Sequence, residues 1–228
     1  MQEAELFGTT FRCECGKTHR IVPREVVYSE DALEHLPAVC DRAAEGPEVA
    51  VLMDVRTRQA AGAQVAETLR AAGWKVTELV VEDPAPGAWP VCDDHTREAL
   101  EPRLGRPDLV LPVGAGVISD LGKWVAKDRE LPYVTFATAA SMNGYASSNI
   151  APTIAGVKRL VYGRAPLAVL SRPSVLRQAP QELTASGLGD VLAKSVSSAD
   201  WYLNHVLFGD YYCPRSVGLI AEIEPLYM

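Results

Sequence analysis

Asp108-Leu-Val-Leu-Pro-Val113, running directly into Gly114-Ala-Gly116-Val117-Ile118-Ser119-Asp120-Leu-Gly-Lys123, is the stretch that decides the fold. An apolar run that ends in two closely spaced glycines and opens onto a helical pattern reads as a strand, a tight turn and a helix. Glycines at such a turn let the backbone approach a ligand, and the free N–H groups of the helix start favour a diphosphate. Ser119 stands where a G-x-G-x-x-G fingerprint has its third glycine, so the same residues equally suit a plain βα turn. Pro112 weakens the strand, because it removes a ladder donor.

Outward from this turn the pattern alternates. Glu48-Val-Ala-Val-Leu-Met-Asp54 is a short apolar run ending in a carboxylate, as expected of a buried parallel strand. Thr57 is expected to cap a helix through about residue 72, with Gly73 ending it. Further strands are predicted over 75–81 and 131–137, a proline-rich loop over 83–90 and a helix over 93–104. Alternation of this kind argues for an α/β fold, a parallel sheet covered on both faces. After Ala137 come a small polar loop over 138–148 and short strands over 150–154, 158–162 and 167–170. From Ser174 the pattern is helical, with Gly187-Leu-Gly189 expected to interrupt it. The domain boundary is placed between 165 and 173, giving a unit over 1–168 and a helical part over 169–228.

The 228 residues are enough for one large domain or two small ones. Hydrophobic residues make up 48% and charged residues 22%, ordinary globular usage that excludes a disordered, collagen-like or coiled-coil chain. The net charge of -7 argues against nucleic acid as the main partner, leaving room for a local phosphate pocket. No apolar run is long enough for a membrane span, and the first residues do not resemble a secretory leader. Five scattered cysteines suggest reduced thiols and a cytoplasmic setting.

Three other motifs carry candidate chemistry. Thr138-Ala139-Ala140-Ser141-Met-Asn143-Gly-Tyr-Ala-Ser147-Ser148 follows a strand, where ligands bind open α/β sheets. Its hydroxyls and amide suit a ribose, a nicotinamide amide or a substrate, and equally a solvated loop. Asp190, after Gly187-Leu-Gly189 in an apolar helical stretch, needs a partner: a metal, Lys194 or a helix N-terminus. Otherwise it caps the helix that follows. Cys13-x-Cys15-Gly-Lys-x-His19 places three soft ligands together. Zinc sites use four, usually with C-x-x-C spacing, and no fourth lies nearby, so packed or surface thiols are expected. His35, His95 and His205 stand isolated.

The order and spacing of these motifs resemble the sn-glycerol-1-phosphate dehydrogenase family, within the group that also holds iron-containing alcohol dehydrogenases, glycerol dehydrogenases and dehydroquinate synthases. The resemblance runs from the Cys-x-Cys lead-in to Asp200-Trp201 and is strongest at Thr138-Ala-Ala-Ser141 and Gly187-Leu-Gly189-Asp190. It implies a Rossmann-like parallel-sheet domain followed by the start of an all-helical, dehydroquinate synthase-like domain, with the active site between them. By this resemblance Gly116, Val117, Ile118, Ser119 and Asp120 match the segment holding the diphosphate of NAD or NADP. Thr138, Ala139, Ala140, Ser141 and Ser147 match further cofactor contacts. Asp190 matches the catalytic aspartate that binds a divalent metal (zinc, iron or nickel) beside the substrate, and Asn143 a substrate contact. The implied reaction interconverts dihydroxyacetone phosphate and sn-glycerol 1-phosphate, so the partner is a small phosphorylated polyol; a homo-oligomer stays open. Asp54 would bind ribose hydroxyls, favouring NAD.

Three departures stand out. Asn143 and Arg172 occupy places where relatives carry aspartate, and the two histidines that complete the metal site in the family have no match before Met228. A helical domain cut short is therefore expected, with an incomplete metal site. A sugar-phosphate cyclase and a non-catalytic nucleotide-binding remnant are the rival readings.

Overall fold

The computed structural model describes residues 6–227, so the leader reading at residues 1–5 and the chain end at Met228 lie outside the described residues. In chain order the elements begin with a short hairpin, β1 (Thr10–Arg12) and β2 (Thr18–Arg20). Then come β3 (Glu25–Tyr28), α1 (Ala32–Ala43), β4 (Glu48–Asp54), α2 (Val55–Thr57), a π-turn over Arg58–Gly62, α3 (Ala63–Ala71) and β5 (Lys75–Val81). Next follow α4 (Asp94–Leu100), β6 (Leu109–Gly114), α5 (Gly116–Asp128) and β7 (Thr135–Ala137). Four two-residue strands come after these: β8 (Asn149–Ile150), β9 (Thr153–Ile154), β10 (Val157–Lys158) and β11 (Val161–Tyr162). The chain continues through β12 (Ala168–Ser171), α6 (Pro173–Gln178), α7 (Gln181–Phe208) and α8 (Pro214–Ile223).

Six strands form one sheet in the order β3-β12-β7-β6-β4-β5, and every pairing within it is parallel. Sheet pairing therefore continues past residue 168, to Ser171. The period-two alternation of a strand sorts its side chains between two layers. Val49, Val51 and Met53 of β4 face α1 and α3 with Leu36, Val39, Val65 and Leu69. Ala50 and Leu52 face α4 and α5 with Leu100, Ile118, Leu121 and Val125. Both faces are covered, as continuous apolar strands require.

Several boundaries differ from expectation for identifiable reasons. The cap of the helix after β4 is Asp54, not Thr57: Asp54 Oδ1 accepts from the N–H groups of Arg56 and Thr57, each at 2.8 Å. The Thr57 hydroxyl accepts from the Asp54 N–H at 2.9 Å, completing a reciprocal capping box. Pro112 lies inside a central strand after all. Val49 to Leu52 pair with Leu109 to Pro112 on one side, while on the other Val110 bridges Tyr133 and pairing resumes at Val113 with Phe136. The missing donor falls in the gap between those two pairings.

Gly122 lies directly over Pro112: a Cβ there would sit 2.6 Å from the proline Cβ and Cγ. It performs the close helix–strand packing that a third fingerprint glycine normally allows. In Gly122→Ala the gain in helix propensity, about 1 kcal/mol, is expected to be outweighed by overpacking of about 1–3 kcal/mol. A lowered urea midpoint checks this; an unchanged or raised midpoint would show that the contact is slack.

Candidate functional site

β4 has β5 on one side and β6 on the other, so the strand order reverses between β4 and β6. Open parallel sheets bind ligands outside the carboxyl ends of the strands at such a reversal. Asp54, Gly114 and Ala137 end β4, β6 and β7 there.

The turn after β6 has two unlike glycines. A Cβ on Gly114 would lie 2.5 Å from the Ile118 Cβ, so this position is closed by packing. At Gly116 the nearest atom is the Met142 sulfur at 3.7 Å, so the space is open. Ala115 stands at the N-cap of α5 and offers no capping side chain. The first N–H groups of a helix lack intrahelical acceptors, so those of Gly116, Val117 and Ile118 face this space uncapped. Val117 is exposed, whereas Ser119 is buried with a hydroxyl that has no partner.

Asp120 points toward Lys123 and the following loop. Its carboxylate lies 3.3 Å from Lys123 Nζ and accepts from the Ala151 N–H at 3.0 Å. Lys123 is 1% exposed and donates to the carbonyls of Gly144 at 2.7 Å and Asn149 at 3.3 Å. Burial lowers the Lys123 pKa, and the Asp120 charge opposes that shift. Sequence reasoning gave Lys123 no role. The available signal was a single cation inside the apolar helical run Leu121 to Ala126.

Lys123 thereby latches the loop that carries the second motif. Thr138 is buried and its N–H donates to the Gly114 carbonyl at 3.2 Å, joining the two loops. Tyr145 is buried and its hydroxyl donates to the Ala139 carbonyl at 2.7 Å. The Ser147 hydroxyl donates to the Gly144 carbonyl at 3.1 Å. Ala140 and Asn143 are exposed.

The third motif meets this loop from α7. The expected interruption at Gly187-Leu-Gly189 is absent, because α7 runs unbroken for 28 residues. Gly187 is buried against the loop, and a Cβ there would overlap the Ala140 carbonyl oxygen. Its lack of a side chain serves close approach rather than a break. Asp190 lies within this helix and so does not cap a following one. Its Oδ2 accepts from the Asn143 N–H at 2.8 Å, and its Oδ1 lies 3.4 Å from Lys194 Nζ. All three motifs thus converge: Met142 borders Gly116, while Ala140 and Asn143 meet Gly187 and Asp190.

The metal implied by the resemblance is less well provided for. Among the described residues no group of three potential ligands includes Asp190. A catalytic zinc takes three protein ligands, so the described residues do not fit such an ion at Asp190. His205 is on the same helix, but its ring bonds to the Asp210 carbonyl and stacks on Tyr212.

Elsewhere, the Cys13-x-Cys15 motif gains the fourth partner that local sequence lacked. Cys213 lies 3.8 Å from Cys13 and 3.6 Å from His19 Nε2, sulfur to ligand atom. Burial raises the Cys213 thiol pKa, but hydrogen bonds from Ser216 and Tyr211 outweigh it and bring the group down to about 6. All five cysteines are free of disulfides, and among the described residues no helix is long and apolar enough to cross a membrane.

A family model described as "Iron-containing alcohol dehydrogenase" matches residues 27–180. The chain is 32% identical over 215 residues to a glycerol-1-phosphate dehydrogenase [NAD(P)+] of Bacillus licheniformis, covering 92% of this chain and 52% of the relative. A Bacillus velezensis protein of the same description is 32% identical over 173 residues, covering 75% of this chain and 44% of the relative. The chain thus spans about half the length of these curated relatives. Among solved structures, glycerol dehydrogenase from Schizosaccharomyces pombe superposes with a TM-score of 0.65 at 21% identity, over 76% of this chain and 43% of that one. An iron-containing alcohol dehydrogenase from Thermococcus thioreducens gives 0.65 at 18% identity, over 77% and 52%.

Proposed function

Because the chain belongs to the iron-containing alcohol dehydrogenase family, we propose that it forms the nucleotide-binding part of an NAD(P)-dependent oxidoreductase interconverting dihydroxyacetone phosphate and sn-glycerol 1-phosphate. Residues 1–168 then make up the dinucleotide-binding domain, and 169–228 open the helical domain on the substrate side. One observation carries the reading: the uncapped N-terminus of α5, with open space at Gly116, stands at the strand-order reversal of the sheet. A diphosphate fits there because it is doubly anionic and meets free N–H donors at the positive end of a helix.

In this reading the nicotinamide, when bound, supplies or accepts the hydride. Gly116, Val117 and Ile118 hold the diphosphate through their N–H groups. Ser119 and Asp120 act from behind this contact, Asp120 through its pairing with Lys123 and Ala151. Thr138 to Ser141 and Ser147 form the wall along which the cofactor lies. Asn143 and Asp190, joined by a hydrogen bond, mark the substrate side. Asp190 holds a carboxylate in place there, while the remaining ligands of a catalytic divalent ion lie outside the set the described residues bring together. Asp54 uses only Oδ1 in its cap, which leaves Oδ2 for ribose hydroxyls and favours NAD over NADP.

The reaction is tested by following reduced nicotinamide with three carbonyl substrates: dihydroxyacetone phosphate, dihydroxyacetone and a heptulose phosphate. In a chain extended by the remaining metal ligands, oxidation of NADH coupled to dihydroxyacetone phosphate, with sn-glycerol 1-phosphate as product, is expected, while the 228 residues alone should turn over little. Conversion of the heptulose phosphate by the extended chain without net nucleotide consumption would instead establish a cyclase. Nucleotide binding with no turnover of any of the three by the extended chain would establish a binding module.

A further inference from the structure

Cys13, Cys15, His19 and Cys213 lie outside the nucleotide site, yet their four ligand atoms all fall within 4.8 Å of one another. Three come from the β1–β2 hairpin. Gly16 turns the chain in the left-handed region, at φ 83°, which an L side chain rarely adopts. The turn is closed by Gly16 N–H to the Cys13 carbonyl at 3.0 Å and Cys13 N–H to the Lys17 carbonyl at 2.9 Å. These bonds direct Cys13 and Cys15 to one side, and His19 returns on β2 to join them. The fourth ligand arrives from the corner between α7 and α8, where Cys213 is the N-cap of α8.

The distances separate the candidate explanations. A disulfide needs its sulfurs about 2.0 Å apart, and Cys13 and Cys213 are at 3.8 Å. A tetrahedral zinc with bonds of about 2.3 Å to sulfur and about 2.0 Å to nitrogen has S–S edges near 3.8 Å and S–N edges near 3.5 Å. The Cys13–Cys213 edge is 3.8 Å, the Cys213–His19 edge 3.6 Å and the Cys15–His19 edge 3.3 Å. An ordinary packed thiol pair has no reason to adopt these edges together with an imidazole. The surroundings also suit a charged centre. The Tyr211 hydroxyl is 3.3 Å from the Cys15 sulfur, and Lys17 Nζ stands 4.0 Å from the centre of the Tyr211 ring.

We propose that Cys13, Cys15, His19 and Cys213 bind one zinc ion as a closed structural site of three thiolates and one imidazole. On binding, those of the three thiols still protonated release their protons to solvent, and neutral His19 coordinates through Nε2 with no change in oxidation state. Tyr211 then donates a hydrogen bond from its hydroxyl to the Cys15 thiolate, an outer contact of the kind that tunes such sites. Four protein ligands leave no open coordination position, so the ion is a staple and not a catalyst. It ties the N-terminal hairpin to the α7–α8 corner across 200 residues of chain. Soft sulfur ligands also separate it chemically from the hard carboxylate of Asp190.

The test is a cobalt(II) titration of the reduced, metal-stripped chain, with zinc content measured on protein purified without chelator. The expected result is one zinc per chain, and with cobalt a tetrahedral ligand-field spectrum with thiolate-to-cobalt charge transfer that added zinc bleaches. Asp190→Ala should keep the full spectrum, while Cys213→Ser should lose charge-transfer intensity and bind cobalt at least about tenfold more weakly. Zinc-edge X-ray absorption on the unaltered protein, independent of any variant, should report three sulfur neighbours and one nitrogen. No thiolate charge transfer from the reduced chain, an unchanged spectrum in Cys213→Ser, or a zinc shell without sulfur would each overturn the assignment.

Discussion

Lys123→Met should lower the stability of the chain by about 3 kcal/mol, the cost of removing one partner from a buried ion pair. Methionine is close to lysine in length and fills the same buried space, so the loss reports the charge rather than a cavity. What remains is Asp120 with only the Ala151 N–H, together with Gly144 and Asn149 carbonyls that have lost their cation. The loop over 143–149 is pinned by those two carbonyls, so its amide hydrogens should also exchange faster. Asp120→Asn in the same chain should recover part of the loss, because the uncompensated carboxylate is then gone. Equal stability of Lys123→Met and the parent in urea would contradict the latch.

Gly187→Ala and Gly189→Ala should change stability in opposite directions, although the two glycines share one helix and are separated by Leu188 alone. In an exposed helix interior, alanine in place of glycine gains up to about 1 kcal/mol. Nothing lies within 4 Å of a Cβ at Gly189, so that gain should appear in full. At Gly187 the added methyl would overlap the Ala140 carbonyl, and backbone cannot swing aside as a side chain can. The helix or the loop must move, with a net loss of at least about 2 kcal/mol expected. The loss should be accompanied by a broken Asn143–Asp190 hydrogen bond, visible as faster exchange of the Asn143 amide. A stabilised Gly187→Ala would show that α7 does not rest on this loop.

These glycines also show how far a single sequence can be read. The strand Glu48–Asp54 was legible because seven residues, five of them buried, form one continuous apolar run bounded by carboxylates. The turn at Gly114 and Gly116 was legible for the same reason: strand, glycines and helix follow one another without a gap. Gly187 and Gly189 were read as a helix break, since sequence cannot tell a glycine that weakens a helix from one that lets it touch a neighbour. Only the fold shows that Ala140 lies against one and nothing against the other.

Contacts between distant segments were illegible for a related reason. Cys213 joins Cys13, Cys15 and His19 across 200 residues, and no spacing rule reaches that far. Lys123 was quoted at the end of the first motif but given no role, because its acceptors are loop carbonyls that carry no side-chain signature. Asp54 was expected to bind a ribose, and the structure shows it as the cap of its own helix, a role that the Thr57 spacing had obscured. The candidate site was therefore visible as three separate motifs, while their meeting at Met142, Ala140 and Asn143 depended on the tertiary fold.

The central claim is that the N-terminus of α5 at Gly116 receives the nucleotide diphosphate, and calorimetric titration of NADH into the parent chain and Gly116→Leu tests it most directly. Gly116 is at the first turn of α5, with only the Met142 sulfur within 4 Å of an added Cβ, so the variant should fold with an unchanged urea midpoint. The leucine side chain would then fill the space the diphosphate needs. The parent chain should bind NADH at one site, and Gly116→Leu should bind it at least about tenfold more weakly, a loss of about 1.4 kcal/mol or more. Equal NADH affinity in a folded Gly116→Leu would place the nucleotide elsewhere and contradict the account.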